Sequence, residues 1–217
     1  VRCCTQNGVR GGSATVHFPI WHQEIEDILV LKNNKGTEDN RVRKLDYSIQ
    51  ISKLFYERFI KNADITLFSP NHVPGLYEAF GLPEFDSLYL KYEKDKSIPK
   101  ETIGAQELFQ ALLKERAETG RIYIMNIDHC NTHSSFKDKV YMSNLCQEIT
   151  LPTTPVQHID DKDGEIALCI LSAINLGLLT DMNELEELCD LSVRALDEII
   201  DYQEYPVEAA KISAQSR

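Results

Sequence analysis

Segments with strand character alternate with segments of helical periodicity, and this alternation limits the fold more than any other feature of the chain. Strands are predicted at 13–18, 47–51, 65–68, 123–126, 144–149 and 166–174. Helices are predicted at 21–31, 53–60, 104–118 and 181–202. Several of the strands are apolar on both sides, which is typical of parallel strands covered by helices. The sequence therefore predicts an α/β fold whose sheet is either open or closed into a barrel.

Charge and cysteine content narrow the function classes. The 217 residues include 34 acidic and 23 basic side chains, and the net charge of −11 disfavours a broad surface for nucleic acid or an anionic membrane. No apolar run approaches the roughly 20 residues that span a bilayer, and no signal peptide is evident, so we expect a cytoplasmic protein. Six cysteines are too few for a disulfide scaffold, so we expect reduced thiols.

The two ends of the chain predict a piece of a larger protein. The chain begins at Val1 without methionine and stops at Arg217, shortly after a helical pattern. A self-sufficient domain explains these ends less well than a fragment or one part of a split protein does.

The strongest chemical pattern is the segment 143–148. If 144–149 is a strand, its period of two places an amide, a thiol and a carboxylate on one face, from Asn144, Cys146 and Glu148. Burying three polar groups costs free energy unless each is paired, so a pocket lining would explain them. A polar strand face turned to solvent, with the cysteine incidental, explains the same spacing, and the spacing leaves both alternatives open.

Two other segments carry weaker signals. Cys169 lies in the apolar run 166–174, where a buried strand with the cysteine as a small core residue is the simplest interpretation. The glycine-rich segment Cys4–Gly12 precedes a predicted strand and could hold a phosphate or a base. It lacks the Gly-Lys-Ser/Thr ending of a phosphate-binding loop and the strand-to-helix setting of a dinucleotide fingerprint.

The segment 128–133 carries potential metal ligands, with His129 and His133 four residues apart and Cys130 between them. No second ligand pair has zinc-like spacing, and we interpret the segment as a strand-to-loop turn rather than a helix. The sequence therefore predicts no metal here.

Together these segments resemble the large subunit of class I ribonucleotide reductases along the whole chain, and most closely its bacterial and T-even-like phage type. The phrases that carry the resemblance are GVRGG (8–12), LKNN (31–34), LFSP (67–70), VPGLY (73–77), TGRIY (119–123), DHCN (128–131), SNLC (143–146) and YQEYP (202–206). The resemblance implies a ten-stranded α/β barrel. It also implies that residues 1–217 are the central portion of the catalytic barrel domain, incomplete at both ends.

The resemblance also assigns roles. Cys146 matches the cysteine that becomes a thiyl radical and removes hydrogen from the 3′ carbon of the ribose. Glu148 matches the carboxylate that takes the proton of the 3′ hydroxyl, and Asn144 matches the amide that orients the ribose hydroxyls; Leu145 lines the same substrate site. Cys169 matches one of two cysteines that reduce the 2′ position while water leaves, ending as a disulfide.

The glycine-rich segment resembles the family's substrate-specificity loop, which lies between an effector nucleotide and the substrate base. The loop residues implied are Cys4, Thr5, Gln6, Asn7, Gly8, Val9, Arg10 and Gly11. Gln6 and Arg10 are implied to read the base. ATP and deoxynucleoside triphosphates are the implied effectors of the complete subunit.

The implied partners follow from the same resemblance. The substrate is a ribonucleoside diphosphate, no cofactor is bound directly, and a separate metal-containing small subunit supplies the radical. Thioredoxin or glutaredoxin regenerates the disulfide, and the flanking pieces of the same large subunit, which forms a dimer, complete the site. The second active-site cysteine is expected before Val1, and the diphosphate-binding turn and the tail cysteines beyond Arg217. An inactive partial copy that acts only as a structural partner is the alternative.

Overall fold

The structure is a computed structural model that describes residues 5, 6 and 8–216, in two compact units, 1–150 and 151–217. The strands are β1 (Thr5–Gln6), β2 (Arg10–Gly11), β3 (Thr15–Pro19), β4 (Asp46–Ile51), β5 (Asp64–Phe68), β6 (Lys100–Gly104) and β7 (Ile122–Asn126). The helices are α1 (Ile25–Val30), α2 (Lys53–Ile60), α3 (Leu76–Ala79), α4 (Phe85–Lys94), α5 (Ala105–Thr119), α6 (Ile127–Thr132), α7 (Leu185–Tyr202) and α8 (Glu208–Gln215).

The first unit is built on a three-stranded parallel sheet in the order β3-β4-β7. Thr15 pairs with Asp46 at one end of the β3-β4 ladder, and Ile51 pairs with Asn126 at the far end of the β4-β7 ladder. Every residue of the central strand β4 is buried, although alternate residues are polar. The central strand therefore has an apolar face and a polar face, both covered.

Helices α1, α2 and α5 share one hydrophobic core with the apolar face of this sheet. The helix α5 buries Ala105, Leu108 and Leu112 at helical spacing, which fits its amphipathic sequence. It ends at Gly120, which takes a φ of +73° and donates its N–H to the carbonyl of Arg116. Glycine, which has no β-carbon, adopts this left-handed conformation at the least cost, so Gly120 fixes where the helix ends.

A second sheet of the first unit pairs β5 with β6 in the antiparallel sense, with Asp64 opposite Gly104. Arg58 on α2 makes a two-bond ion pair with Glu93 on α4, at 2.5 and 2.6 Å, and Glu93 also accepts the hydroxyl of Thr66 on β5 at 2.6 Å. Tyr89 donates its hydroxyl to the carbonyl of Thr66 at 2.6 Å and receives the Thr66 N–H at 2.7 Å. These bonds tie two helices to one strand.

The second unit contains α7 and α8 and, among its described residues, one isolated β-bridge between Thr154 and Glu165. The helix α7 has no buried residue: Leu188, Leu196 and Ile200 are half-buried, and Val193 is 67% exposed. Among the helices that the structure describes, none has both the length and the apolar composition of a membrane span.

The predicted α/β class and parallel sheet are confirmed. The predicted helices 53–60 and 104–118 match α2 and α5 closely, whereas the helix predicted from Trp21 starts only at Ile25. The strand β6 and the helix α4 were not predicted. The exposed polar residues Glu101 and Thr102 lie in the middle of β6, so this strand lacks the apolar run that would have predicted it.

Candidate active site

The polar face of the parallel sheet is formed by alternate residues of two neighbouring strands. On β4 these are Asp46, Ser48 and Gln50, which are all at most 5% exposed. On β3 they are Thr15, which pairs with Asp46, and His17, which pairs with Ser48. Buried polar side chains require partners, so the segment that covers this face must supply hydrogen-bonding groups.

That segment is the turn 143–149, which we call the cysteine turn. It is closed by its own polar groups: the Ile149 N–H donates to Asn144 Oδ1 at 3.0 Å, and the Gln147 N–H donates to the Asn144 carbonyl at 3.2 Å. The Ser143 hydroxyl donates to the carbonyl of Ile149 at 2.5 Å. Gln147 takes a φ of +68°, which reverses the chain immediately after Cys146.

This geometry corrects the strand predicted at 144–149. The side chain of Asn144 competes for the backbone N–H that a strand would give to its neighbour, and the left-handed Gln147 breaks the period of two. The three predicted residues nevertheless lie together on the cysteine turn. Cys146 and Glu148 are exposed, whereas Asn144 and Leu145 are half-buried.

The sheet holds the segment that leads into this turn by hydrogen bonds to its backbone. Thr15 Oγ1 donates to the Leu145 carbonyl at 2.7 Å, and His17 Nε2 lies 3.0 Å from the Ser143 carbonyl. Gln50 Nε2 donates to the carbonyl of Tyr141 at 2.5 Å. Because these contacts use main-chain oxygens, they fix where the turn lies rather than which side chains it carries.

Burial at this face affects His17. Loss of solvation lowers the pKa of the imidazole, and the hydrogen bond to the Ser143 carbonyl opposes this only in part. The ring is therefore neutral at pH 7. Nδ1 of His17 and Oε1 of Gln50 are buried without a hydrogen-bond partner among the described residues.

A lysine and two tyrosines support the approach to the turn. Lys139 Nζ donates to the carbonyls of Tyr77 and Glu78 at 3.0 and 2.8 Å and lies 4.2 Å from the centre of the Tyr141 ring. Burial lowers the pKa of Lys139 to about 8. The two carbonyls hold the ammonium by hydrogen bonds, and the ring of Tyr141 holds it by a cation–π contact. Together they fix the chain at Tyr141, two residues before Ser143.

The amino-terminal ends of the parallel strands border an open cavity of about 440 Å³. Its lining residues are Gly11, Gly12, Ser13, Lys32, Arg43, Lys44, Asp46, Thr119 and Arg121. Asp46 is paired with Lys32 at 2.5 Å and with Arg121 at 3.3 Å. With four basic residues against one acidic residue, the cavity favours an anion over a cation.

The predicted specificity loop forms a small hairpin. β1 pairs antiparallel with β2, so that Thr5 lies opposite Gly11 and Gln6 opposite Arg10. Gly8 has a φ of +72° in the connection, and Val9 beside it is 91% exposed. Cys4 and Asn7, which belong to the same prediction, lie outside the described residues.

The prediction of a buried strand around Cys169 is wrong. Residues 166–174 form no regular element, and no strand of the described chain pairs with them. Cys169 is exposed, and so is Leu171 at 78%. A strand is stabilised by the ladder it makes with neighbours, and an apolar run without such neighbours has no ladder to join.

The turn predicted at 128–133 is also wrong, because α6 spans Ile127–Thr132. The helix brings the rings of His129 and His133 to 5.2 Å between centres. No group of three or more potential metal ligands is present among the described residues.

Comparison with known proteins places this geometry in a family. The family model described as "Ribonucleotide reductase, barrel domain" matches residues 1–217. The chain belongs to the ribonucleotide reductase barrel-domain family. This confirms the predicted resemblance.

Individual relatives agree with this assignment. The chain is 60% identical over 222 residues to the ribonucleoside-diphosphate reductase subunit alpha of Buchnera aphidicola subsp. Schizaphis graminum. It is 58% identical over 222 residues to the ribonucleoside-diphosphate reductase 1 subunit alpha of Escherichia coli. It is 46% identical over 225 residues to the subunit alpha of Enterobacteria phage T4. In each case the whole of this chain aligns, and it spans 29% of the length of the relative.

Sequence reasoning missed the residues of this barrel-domain segment that hold the cysteine turn: Thr15, His17, Ser48, Gln50 and Gln147. A signal was present in β4, where the polar Asp46, Ser48 and Gln50 alternate with apolar residues in a strand otherwise typical of a core. Alternation of this kind indicates a strand with one polar face. The sequence alone did not indicate what that face would contact.

Proposed function

We propose that this chain is the part of an alpha subunit that carries the radical cysteine for reduction of ribonucleoside diphosphates. The observation that carries the proposal is the placement of Cys146: its thiol is exposed on a turn tethered to the polar face of a parallel sheet, beside the exposed carboxylate of Glu148. The thiol of Cys146 and the carboxylate of Glu148 are separated in sequence by one residue, so they can act on neighbouring atoms of one small substrate. The names of the relatives supply the substrate class.

In the proposed reaction Cys146, as a thiyl radical, takes the hydrogen atom from the 3′ carbon, which forms an S–H bond and leaves a carbon radical. Glu148 accepts the proton of the 3′ hydroxyl. Asn144 orients the ribose hydroxyls through Nδ2, because its Oδ1 is already occupied within the cysteine turn. Leu145 lines the same site.

We propose that Cys169 is one of the two thiols that reduce the 2′ position as water leaves. The two thiols each give up a hydrogen and finish as a disulfide, which thioredoxin or glutaredoxin then reduces by thiol exchange. The support for this role is the resemblance of the segment around Cys169 to the family, together with the match of the family model across residues 1–217.

The remaining partners are proposed on the same basis. A separate metal-containing small subunit generates the radical, and the rest of a dimeric alpha subunit completes the site in the cytoplasm. ATP and deoxynucleoside triphosphates act as effectors through the specificity loop. The exposed hairpin that carries Val9 and Arg10 supports this loop assignment, because a base-reading segment must be accessible.

The proposal is tested in a complete subunit. Residues 1–217 replace the matching 222 residues of the Escherichia coli alpha subunit, to which they are 58% identical. The chimaera is assayed for effector-dependent reduction of CDP with the small subunit and dithiothreitol. We expect turnover by the chimaera and none from Cys146→Ala. Cys189→Ala is the matched control, since this cysteine is also exposed but lies on α7.

A folded chimaera that binds the small subunit and shows no turnover would overturn the proposal. The chain would then be an inactive partial copy that acts as a structural partner. Equal turnover by Cys146→Ala and by the unmodified chimaera would overturn the assignment of the radical cysteine.

A further inference from the structure

Gln147 lies between the two residues proposed to act on the substrate, and its backbone is unusual. Its φ of +68° is in the left-handed region, which residues with a β-carbon rarely occupy. Among the described residues, Asn62 is the one other non-glycine residue with a positive φ. A glutamine held in this conformation next to a candidate site requires an interaction that fixes it.

The side chain of Gln147 supplies that interaction. Its Oε1 accepts the hydroxyl of Ser48 at 2.9 Å, and its Nε2 donates to the carbonyl of Ile124 at 2.8 Å. Ser48 lies on β4 and is fully buried, and Ile124 lies on the neighbouring strand β7. The amide therefore uses its acceptor and its donor on two adjacent strands, and a side chain with only one of these functions cannot do so.

The other described bonds between the sheet and this part of the chain all lie before Cys146. They are made to the backbone of Tyr141, Ser143 and Leu145. Gln147 alone, in the part of the chain that the structure describes, attaches the sheet to the stretch from Cys146 to Glu148. The upstream bonds fix where the turn enters, and the Gln147 amide fixes where it reverses.

We propose that Gln147 is a positioning residue: the Ser48–Gln147–Ile124 bridge, together with the left-handed backbone, sets the thiol of Cys146 and the carboxylate of Glu148 toward the substrate. With the Gln147 side chain directed into the sheet, the residues on either side are both exposed. This inference rests on the proposed function, because it gives Gln147 a role in that reaction. Gln147 itself takes no part in bond making.

The test uses the chimaeric holoenzyme described above. Gln147→Leu keeps the approximate size and removes both hydrogen bonds. Gln147→Gly removes the same bonds and adopts a positive φ freely, so it separates the bridge from the backbone conformation. We expect kcat to fall at least fivefold in both variants while KM stays within twofold, because positioning acts on the reacting groups more than on substrate binding.

Gln106→Leu is the matched control. Gln106 is also half-buried and donates its Nε2 to a backbone carbonyl, that of Phe59 at 3.1 Å, but it lies on α5 outside the site. We expect its kcat to stay within twofold of the unmodified chimaera. Ser48→Ala completes a double-mutant cycle with Gln147→Leu. Because both substitutions remove the same bridge, the double variant should have a kcat no lower than that of Gln147→Leu alone.

Hydrogen exchange gives a readout that does not depend on turnover. The N–H groups of Gln147 and Ile149 are bonded within the cysteine turn, so loosening the turn should speed their exchange at least fivefold in Gln147→Leu and leave it unchanged in Gln106→Leu. Unchanged exchange, or a kcat of Gln147→Leu within twofold of the unmodified chimaera, would overturn the positioning role. An unmodified chimaera without turnover overturns the proposed function instead, and the exchange rates then decide whether Gln147 holds the turn.

Discussion

Replacing Glu93 with glutamine should destabilise the first unit by removing half of a charged pair. Arg58 and Glu93 form two hydrogen bonds, and their side chains are only 15% and 24% exposed. Glutamine keeps one oxygen but turns an amide N–H group toward the guanidinium. Hydrogen bonds to charged groups contribute about 1.5–3 kcal/mol each. We therefore expect Glu93→Gln to lower the free energy of unfolding by about 2 kcal/mol at pH 7, measured by urea titration.

The pH dependence of this difference follows from the pKa of Glu93. The hydrogen bonds from Arg58, and secondarily that from Thr66, hold this pKa below its ordinary value of 4.5. The unfolded chain therefore takes up a proton at higher pH than the folded chain does. The stabilisation is complete above pH 4.5 and disappears as the pH falls through the lowered pKa. The unfolding curves of the two proteins should converge in acid.

Glu57→Gln is the control for this measurement. Glu57 pairs with Lys53 at 3.4 Å within α2, and the two side chains are 43% and 76% exposed. Exposed pairs of this spacing contribute about 0.3–0.5 kcal/mol, so the control should change the stability by no more than that. The reasoning is refuted if both substitutions have equal effects at pH 7, or if the Glu93→Gln difference persists unchanged below the lowered pKa.

Two further substitutions use pH to test the support of the cysteine turn. His17→Gln keeps a donor for the Ser143 carbonyl but does not titrate. Because burial lowers the pKa of His17 below 6.5, the unfolded chain takes up a proton at higher pH than the folded chain does. The unmodified protein should therefore lose stability relative to His17→Gln as the pH falls from 7 to 5.5. Parallel stability curves would contradict this. Lys139→Met keeps an unbranched apolar side chain on the tyrosine rings. The pKa of Lys139 is about 8 in the folded chain and 10.5 in the unfolded chain. The stability of the unmodified protein should therefore rise relative to Lys139→Met as the pH increases across that interval. A constant difference would show that Lys139 is not desolvated.

The sequence predicted best those elements whose own residues determine them. Helix α5 has an apolar stripe from Ala105 to Leu112 and a glycine at its end, and both signals lie within the helix or next to it. The strand β4 has the β-forming residues Tyr47, Ile49 and Ile51 at alternate positions on its apolar face. The antiparallel partner β6 was missed because its pairing with β5 depends on contact with another element rather than on its own pattern.

The two incorrect strands at 144–149 and 166–174 share a physical cause. Periodicity reports which side chains could share a face, but a strand also requires a neighbour that accepts its backbone hydrogen bonds. At 144–149 the N–H and the carbonyl of Ile149 bond to the side chains of Asn144 and Ser143 within the turn itself. At 166–174 no strand of the described chain pairs with the run.

Asn144, Cys146 and Glu148, which the sequence predicted on one strand face, lie on the cysteine turn instead. They do so through a left-handed residue and side-chain hydrogen bonds instead of strand alternation. This difference has a chemical consequence. A strand would fix its side chains through a regular ladder, whereas a turn needs individual tethers, and each tether is a place where one substitution can move the thiol. The half-buried Thr15 and His17 of β3 and the buried Ser48 and Gln50 of β4 are those tethers. This explains why a core strand carries Ser48 and Gln50 at positions where apolar residues would pack at lower cost.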